Sequence, residues 1–169
     1  MKHRKAIKQA AQTIPVCKGR TYELQIDRLG TSGEGVGRYD NFTVFVPNAL
    51  PGETVSVIIE EVKNSYARGR IKQILHESVD RVAPLCELYE ECGGCQLQHL
   101  SYEAQLRTKR AQVADALIHI GKLPQIPVME TLRAEEPWNY RNKMQFPIGR
   151  NSGKIVIGCF AQGSHRIIN

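Results

Sequence analysis

Apolar and polar positions alternate by two along the first half of the chain. In Thr21–Ile26, Tyr22, Leu24 and Ile26 share one face, the pattern of a half-buried strand. The pattern returns in Phe42–Pro47, Thr54–Ile59 and Tyr66–Leu75, with a proline–glycine turn at Asn48–Gly52. Gly30-Thr-Ser-Gly-Glu-Gly-Val-Gly37 puts four glycines in eight residues. It lacks the GK[ST] ending of a phosphate-binding P-loop, and no helical pattern follows, so it reads as a tight bend between strands. Counting a short strand before Phe42, five strands with no helix between them predict a small closed barrel. Closure lets about sixty residues bury a core without open edges.

Beyond residue 100 the period changes. Ser101 is placed as an N-cap, with Glu103 in the first turn at the positive helix end. Leu106, Val113, Leu117 and Ile120 recur at helical spacing, and Gly121 with Pro124 stops the helix. Arg107, Lys109 and Arg110 lie on or beside the opposite face and read as solvated. After Pro137 strand signals return in Tyr140–Pro147 and Lys154–Phe160, joined by the turn Asn151-Ser-Gly153. The expected class is mainly β with one or two helices.

Composition adds compartment and partner. With 169 residues, 41% hydrophobic and 24% charged, the chain is sized for one domain or two small ones. The basic N-terminus has no apolar run behind it, and no stretch approaches the roughly 18 apolar residues of a membrane helix. A cytoplasmic monomer without membrane contact is expected. Residues 1–20 carry six basic side chains and no acid, and residues 137–169 carry five and no acid. The middle holds 12 basic and 17 acidic residues. Two basic ends suit a polyanion such as RNA, because Lys and Arg neutralising phosphates supply most non-specific nucleic-acid affinity.

Three of five cysteines fall within ten residues, as Cys86-Glu-Leu-Tyr-Glu-Glu-Cys92-Gly-Gly-Cys95. Clustered thiols in a reducing compartment point to a metal or cluster rather than a disulfide. Cys86, Cys92 and Cys95 with His99 would make a Cys3His zinc site. An iron–sulfur cluster fits equally, with Gly93 and Gly94 freeing backbone amides for its sulfurs. Spacing alone leaves the two open. Cys17 lies in the basic leader, and Cys159, in the apolar run Ile155–Phe160, reads as a buried strand cysteine.

Longer stretches add a resemblance. Gly33-Glu-Gly-Val-Gly-Arg38, Val44-Phe-Val-Pro-Asn-Ala-Leu-Pro-Gly-Glu53 and Ala67-Arg-Gly-Arg-Ile71 resemble a TRAM domain, a small OB-like barrel of RNA-modifying enzymes. The cysteine loop through Gln96-Leu-Gln-His99, Trp138–Lys143 and Gly163–Ile168 is similar to bacterial RNA uracil-5-methyltransferases. The closest likeness is the 23S rRNA branch, which carries a TRAM domain and a [4Fe-4S] cluster. The resemblance runs from about residue 20 to the end. Residues 1–18 read as a basic leader, and the resemblance implies the barrel over 19–80, the cysteine loop over 81–100 and an incomplete α+β central RNA-facing domain over 101–169. It makes Cys86, Cys92 and Cys95 cluster ligands, with the fourth beyond Asn169, so that Cys159 is not a ligand. The Rossmann-like domain that binds S-adenosylmethionine and supplies the cysteine nucleophile and carboxylate base has no counterpart here. An N-terminal part without activity of its own is expected. Arg38, Arg68 and Arg70 on the barrel, with Arg141, Lys143 and Arg166 beyond it, are the expected RNA contacts. Tyr39, Phe42 and Tyr66 are candidate stacking rings. The alternative is a stand-alone RNA-binding module with structural zinc.

Overall fold

The computed structural model describes residues 14–169; most of the basic leader lies outside them. Five strands, β1 (Thr21–Leu29), β2 (Gly35–Tyr39), β3 (Phe42–Val46), β4 (Thr54–Val62) and β5 (Tyr66–His76), close a barrel in the order β1-β2-β3-β5-β4. All neighbours are antiparallel except β3 and β5. The alternation read in the sequence fills the interior: Leu24 and Ile26, then Phe42, Val44 and Val46, then Val55, Val57 and Ile59. Val16 joins this core and Ile14 packs against it. The barrel thus reaches back into the residues expected as leader.

The glycine run departs from expectation. Only Thr31–Gly33 forms the bend, while Gly35 and Gly37 lie inside β2. A Cβ at Gly35 would sit 2.7 Å from the Ala49 carbonyl oxygen, and one at Gly37 2.5 Å from that of Gln25. The absent side chains let β2 lie close against neighbouring backbone as the barrel curves.

Glu53 follows the Pro51–Gly52 turn, where Gly52 takes φ +84°, and is fully buried. It accepts hydrogen bonds from Arg81 Nε (2.6 Å) and Nη2 (2.9 Å) and from the Leu50 amide (2.8 Å). Arg81 Nη2 also donates to the Asn48 carbonyl (2.8 Å). Burial alone would raise the Glu53 pKa, but the Arg81 and amide hydrogen bonds outweigh it and hold the carboxyl below its usual range. Arg81 in turn pairs with Leu100 in an antiparallel bridge, closing the neck of the loop 82–99. The Val82 amide donates to the His99 carbonyl (3.0 Å), and the Ser101 amide to that of Asp80 (2.9 Å). A second small core of Leu29, Leu50, Leu100 and Ala104, with Leu97 against it, seats this neck on the barrel.

His99 is buried beneath the neck with Nδ1 on the Tyr89 hydroxyl. Its Nε2 faces Asn48 without reaching hydrogen-bond geometry. Burial, then the Arg81 charge, lowers its pKa to about 4, against a smaller opposing pull from Glu53.

Helix α1 (Tyr102–Asp115) starts as expected, with Ser101 Oγ accepting from the Ala104 amide (3.3 Å). Its last turns pass into a π-helical segment, Ala116–Ile120. The expected apolar face stays largely open: Ala104 is the helix's buried residue, while Val113 and Ile120 are exposed. The first turn packs on the barrel and Gln112 Nε2 donates to the Gly30 carbonyl (3.0 Å), while Val113 and Ile120 stay uncovered. Arg107 is partnered by Asp80 (2.7 Å), and Arg110 donates to the Val128 carbonyl (2.9 Å).

Further on, β6 (Ile148–Asn151) and β7 (Lys154–Ile157) form a hairpin about Ser152 (φ 49°) and Gly153 (φ 80°). The expected strand at Tyr140–Pro147 is absent. The two-residue turn sets Ile148 opposite Ile157, and past it only a long bond from the Gly158 amide to the Pro147 carbonyl (3.4 Å) follows, so no strand of the described residues pairs with residues 140–147. Two short strands, β8 (Cys159–Phe160) and β9 (Ile167–Ile168), pair beside it.

Two outcomes follow for the neck. Arg81→Ala strands a buried carboxylate and should lower stability by about 3–5 kcal/mol, read as a lower urea midpoint at neutral pH. Because His99 is held neutral, stability is fully present above its unfolded pKa near 6.5 and should fall as pH drops from there towards 4, by on the order of 3 kcal/mol. Loss of the Glu53 contribution comes lower, as pH falls below the usual carboxylate range. Urea titrations at pH 7 and pH 5 with equal midpoints would contradict the His99 assignment.

Candidate nucleic-acid face and thiol site

The outward positions of β2, β3 and β5 make one continuous face. Register sets Arg38 opposite Thr43, Thr43 beside Tyr66, and Phe45 beside Arg68. Phe45 and Tyr66 meet edge to face at 5.4 Å, and the Arg68 guanidinium lies over the Tyr66 ring at 5.9 Å. Arginines beside half-exposed rings are what a single-stranded nucleic acid needs: cations for phosphates and flat surfaces for bases. Arg70 is on the same strand but ion-paired with Glu60 (3.0 Å). Phe42 is a correction: it points inward and is buried in the core. Tyr39 packs against the core and Tyr22, with ring centroids 4.7 Å apart. Phe45 was missed by sequence reasoning, although its place between inward Val44 and Val46 already put it outside.

The cysteine loop is wound on itself and fastened on two sides. Tyr89 donates through its hydroxyl to the Gln96 carbonyl (2.9 Å) besides meeting His99, and Gln98 Oε1 accepts from the Cys86 amide (3.2 Å). On the other side the Gly93 amide donates to the Phe160 carbonyl (2.8 Å), the Gln162 amide donates to the Glu91 carbonyl (3.0 Å), and Cys92 bridges to Ala161. The Gly94 amide points at Cys92 Sγ (3.4 Å). Cys159, read from sequence as an ordinary strand cysteine, stands against these thiols. Burial raises its pKa first, then Cys92 through charge and a thiol hydrogen bond, then Cys95.

Among the described residues no three of His, Cys, Asp and Glu stand at metal-binding distance. His99 is held by Tyr89 instead of joining the cysteines, which removes it as a zinc ligand. The donor chemistry nonetheless fits a soft-metal cluster: three thiols on one glycine-containing loop, with a backbone N–H already turned to a sulfur.

Two clefts open beside the loop. One of about 600 Å³ is lined by Gly94, Cys95, Cys159 and Arg141 and reaches the barrel bend at Gly33. A second of about 510 Å³ combines Trp138 and Tyr140 with Gln96, Gln98, Lys109 and Arg141. Of the expected contacts beyond the barrel, Arg141 therefore lies at the thiols, Lys143 is exposed nearby, and Arg166 pairs with Glu91 (3.2 Å) across the exposed rim. No helix among the described residues is long and apolar enough to cross a membrane.

Residues 15–72 match the TRAM domain family. A Clostridium tetani protein named an uncharacterized RNA methyltransferase is 49% identical over 156 residues, which are 92% of this chain and 34% of that protein. The chain spans about a third of the length of the curated relatives it matches. Among solved structures, a conserved Methanococcus maripaludis protein is 36% identical, covering 40% of this chain and 99% of that one, with a TM-score of 0.35. The Pyrococcus abyssi tRNA (uracil-54, C5)-methyltransferase, in complex with S-adenosyl-L-homocysteine, is 30% identical over 56% of this chain and 21% of that one, with a TM-score of 0.36. Residues 15–72 thus carry a TRAM-domain match, and over nine-tenths of its length the chain is similar to proteins named RNA methyltransferases.

Proposed function

We propose that the chain is the RNA-recognition and iron–sulfur portion of an S-adenosylmethionine-dependent RNA uracil-5-methyltransferase, with 23S rRNA as substrate. The observation that carries this reading is a combination. A barrel with an outward arginine–aromatic face and a thiol-bearing loop are fastened together in a chain that aligns over nine-tenths of its length with a protein named an RNA methyltransferase.

Phosphate contact falls first to Arg38, Arg68, Arg141 and Lys143. Arg70 and Arg166 sit in exposed ion pairs, which are weak and exchange readily for a phosphate. Tyr66 and Phe45 supply stacking surface on the barrel, and Trp138 and Tyr140 supply it in the second cleft. Cys86, Cys92 and Cys95 would hold a [4Fe-4S] cluster, whose part is to fix the loop and the segment around Gln162 in shape beside the RNA. No residue of this chain is assigned the methyl-transfer roles, so the nucleophile, the base and the S-adenosylmethionine site belong to another part of the enzyme.

Single-stranded rRNA fragments should bind with affinity that falls steeply with salt, measured by fluorescence anisotropy across a potassium chloride series. Tyr66→Ala should weaken binding by about 1–3 kcal/mol through lost stacking. Arg68→Ala should reduce the slope of log affinity against log salt by about 0.7. Salt-independent binding, or binding indifferent to both substitutions, would remove the barrel face from the contact. With labelled S-adenosylmethionine the chain alone should transfer no methyl group to RNA; incorporation would place the catalytic residues within it.

A further inference from the structure

The second cleft, between α1 and the segment before β6, is built from parts of different chemistry. On the helix side the spacing decides: Tyr102, Gln105 and Lys109, three and four residues apart, fall on one face of α1, and all line the cleft. The other side carries Trp138, Tyr140 and Arg141. Asn139, between the two rings, takes φ 57°, a left-handed conformation that Asn tolerates, and both flanking rings line the cleft. Tyr102 is already engaged, its hydroxyl accepting from the Ala134 amide (2.8 Å) and its ring lying under the Arg133 guanidinium (5.7 Å). Trp138 and Tyr140 stack on no other ring of the described residues and are 40% and 72% exposed.

Two glutamines add a polar edge of defined direction. Gln105 Nε2 donates to the carbonyls of Leu97 (3.1 Å) and Leu100 (2.9 Å), which uses both its N–H groups and leaves Oε1 as an acceptor. Gln98 Oε1 accepts from the Cys86 amide (3.2 Å), which leaves its amino group as a donor. The neighbours dictate which way each side chain faces, because a carbonyl receives only from the nitrogen and an N–H donates only to the oxygen. Lys109 and Arg141 supply positive charge, and neither pairs with a carboxylate of the described residues. No described Asp or Glu lines the cleft.

We infer that this cleft takes a single unpaired base of the RNA. The base lies out of its stack against Trp138 and Tyr140, its polar edge meets Gln98 and Gln105, and its flanking phosphates meet Lys109 and Arg141. Splayed-out bases on aromatic rings, read along their hydrogen-bonding edges, are the ordinary currency of single-stranded RNA recognition. At about 510 Å³ the cleft is in the range of a site for one small ligand. The inference rests on the RNA reading proposed above and deepens it, adding to the barrel face a place where one position is read. The base held here is a neighbour of the methylated one, since no lining residue is assigned a methyl-transfer role.

Trp138 is the chain's single tryptophan, so its fluorescence reports on this cleft alone. The unaltered chain is titrated with single-stranded rRNA fragments while Trp138 emission and the anisotropy of the labelled RNA are followed together. Emission should be quenched over the same RNA concentrations at which anisotropy rises. A ribose–phosphate oligomer without bases should bind more weakly and leave the emission unchanged. Tyr140→Ala should weaken RNA binding by on the order of tenfold, and Lys109→Gln should lower the slope of log affinity against log salt by about 0.7. Both side chains are exposed, so the pair of variants keeps the core intact. RNA binding with Trp138 emission unchanged, or equal quenching by the oligomer without bases, would overturn the inference and leave the barrel reading standing. Absence of binding by either signal would overturn both.

Discussion

The whole arrangement hangs on a carboxylate that has been taken entirely out of water. A buried Glu is costly unless its charge is matched and its lone pairs are filled. Glu53 meets both conditions through Arg81 and the turn amides around Leu50. The partners come from three places in the chain: the turn between β3 and β4, the segment after β5, and, through Arg81, the strand-like neck that ends at Leu100. One ion pair therefore fixes both where the barrel stops and where the cysteine loop is hung from it.

From that point the geometry propagates outward. The neck brings His99 beneath Arg81, His99 orients Tyr89, and the Tyr89 hydroxyl reaches the Gln96 carbonyl next to Cys95. The loop's outer edge then receives β8 by backbone pairing, which carries Cys159 to Cys92. The thiols thus occupy the junction between the barrel and the segment that follows α1. The arginine–aromatic barrel surface and the aromatic cleft at Trp138 are held in relation to each other through this same junction.

The barrel was legible because its strands are half-buried and alternate by two, and the helix start was legible because Ser101 is a local capping signal. What sequence could not supply was long-range pairing. Gly35 and Gly37 read as bend residues because nothing local reveals the backbones of Ala49 and Gln25 pressed against β2. The periodic apolar stripe after Leu106 promised a buried face, but burial depends on a surface to meet, and Val113 and Ile120 meet none. Phe42 and Phe45 look alike in composition, and only the phase of the alternation separates core from surface. His99 had the spacing of a ligand, yet tertiary contacts with Tyr89 and Asn48 claim it for the neck. Cys159 lies 64 residues from Cys95 in the chain, and no periodicity links them; the pairing of β8 with the loop does.

Because the Glu53–Arg81 pair belongs to both, the barrel and the cysteine loop should unfold as one unit. Native-state hydrogen exchange tests it most directly, by comparing the neck amides of Val82, Leu100 and Ser101 with amides in the centre of β4 and β5. Both groups should exchange with the same opening free energy and the same dependence on denaturant. Neck amides that open on their own at much lower free energy, while the barrel stays protected, would contradict it.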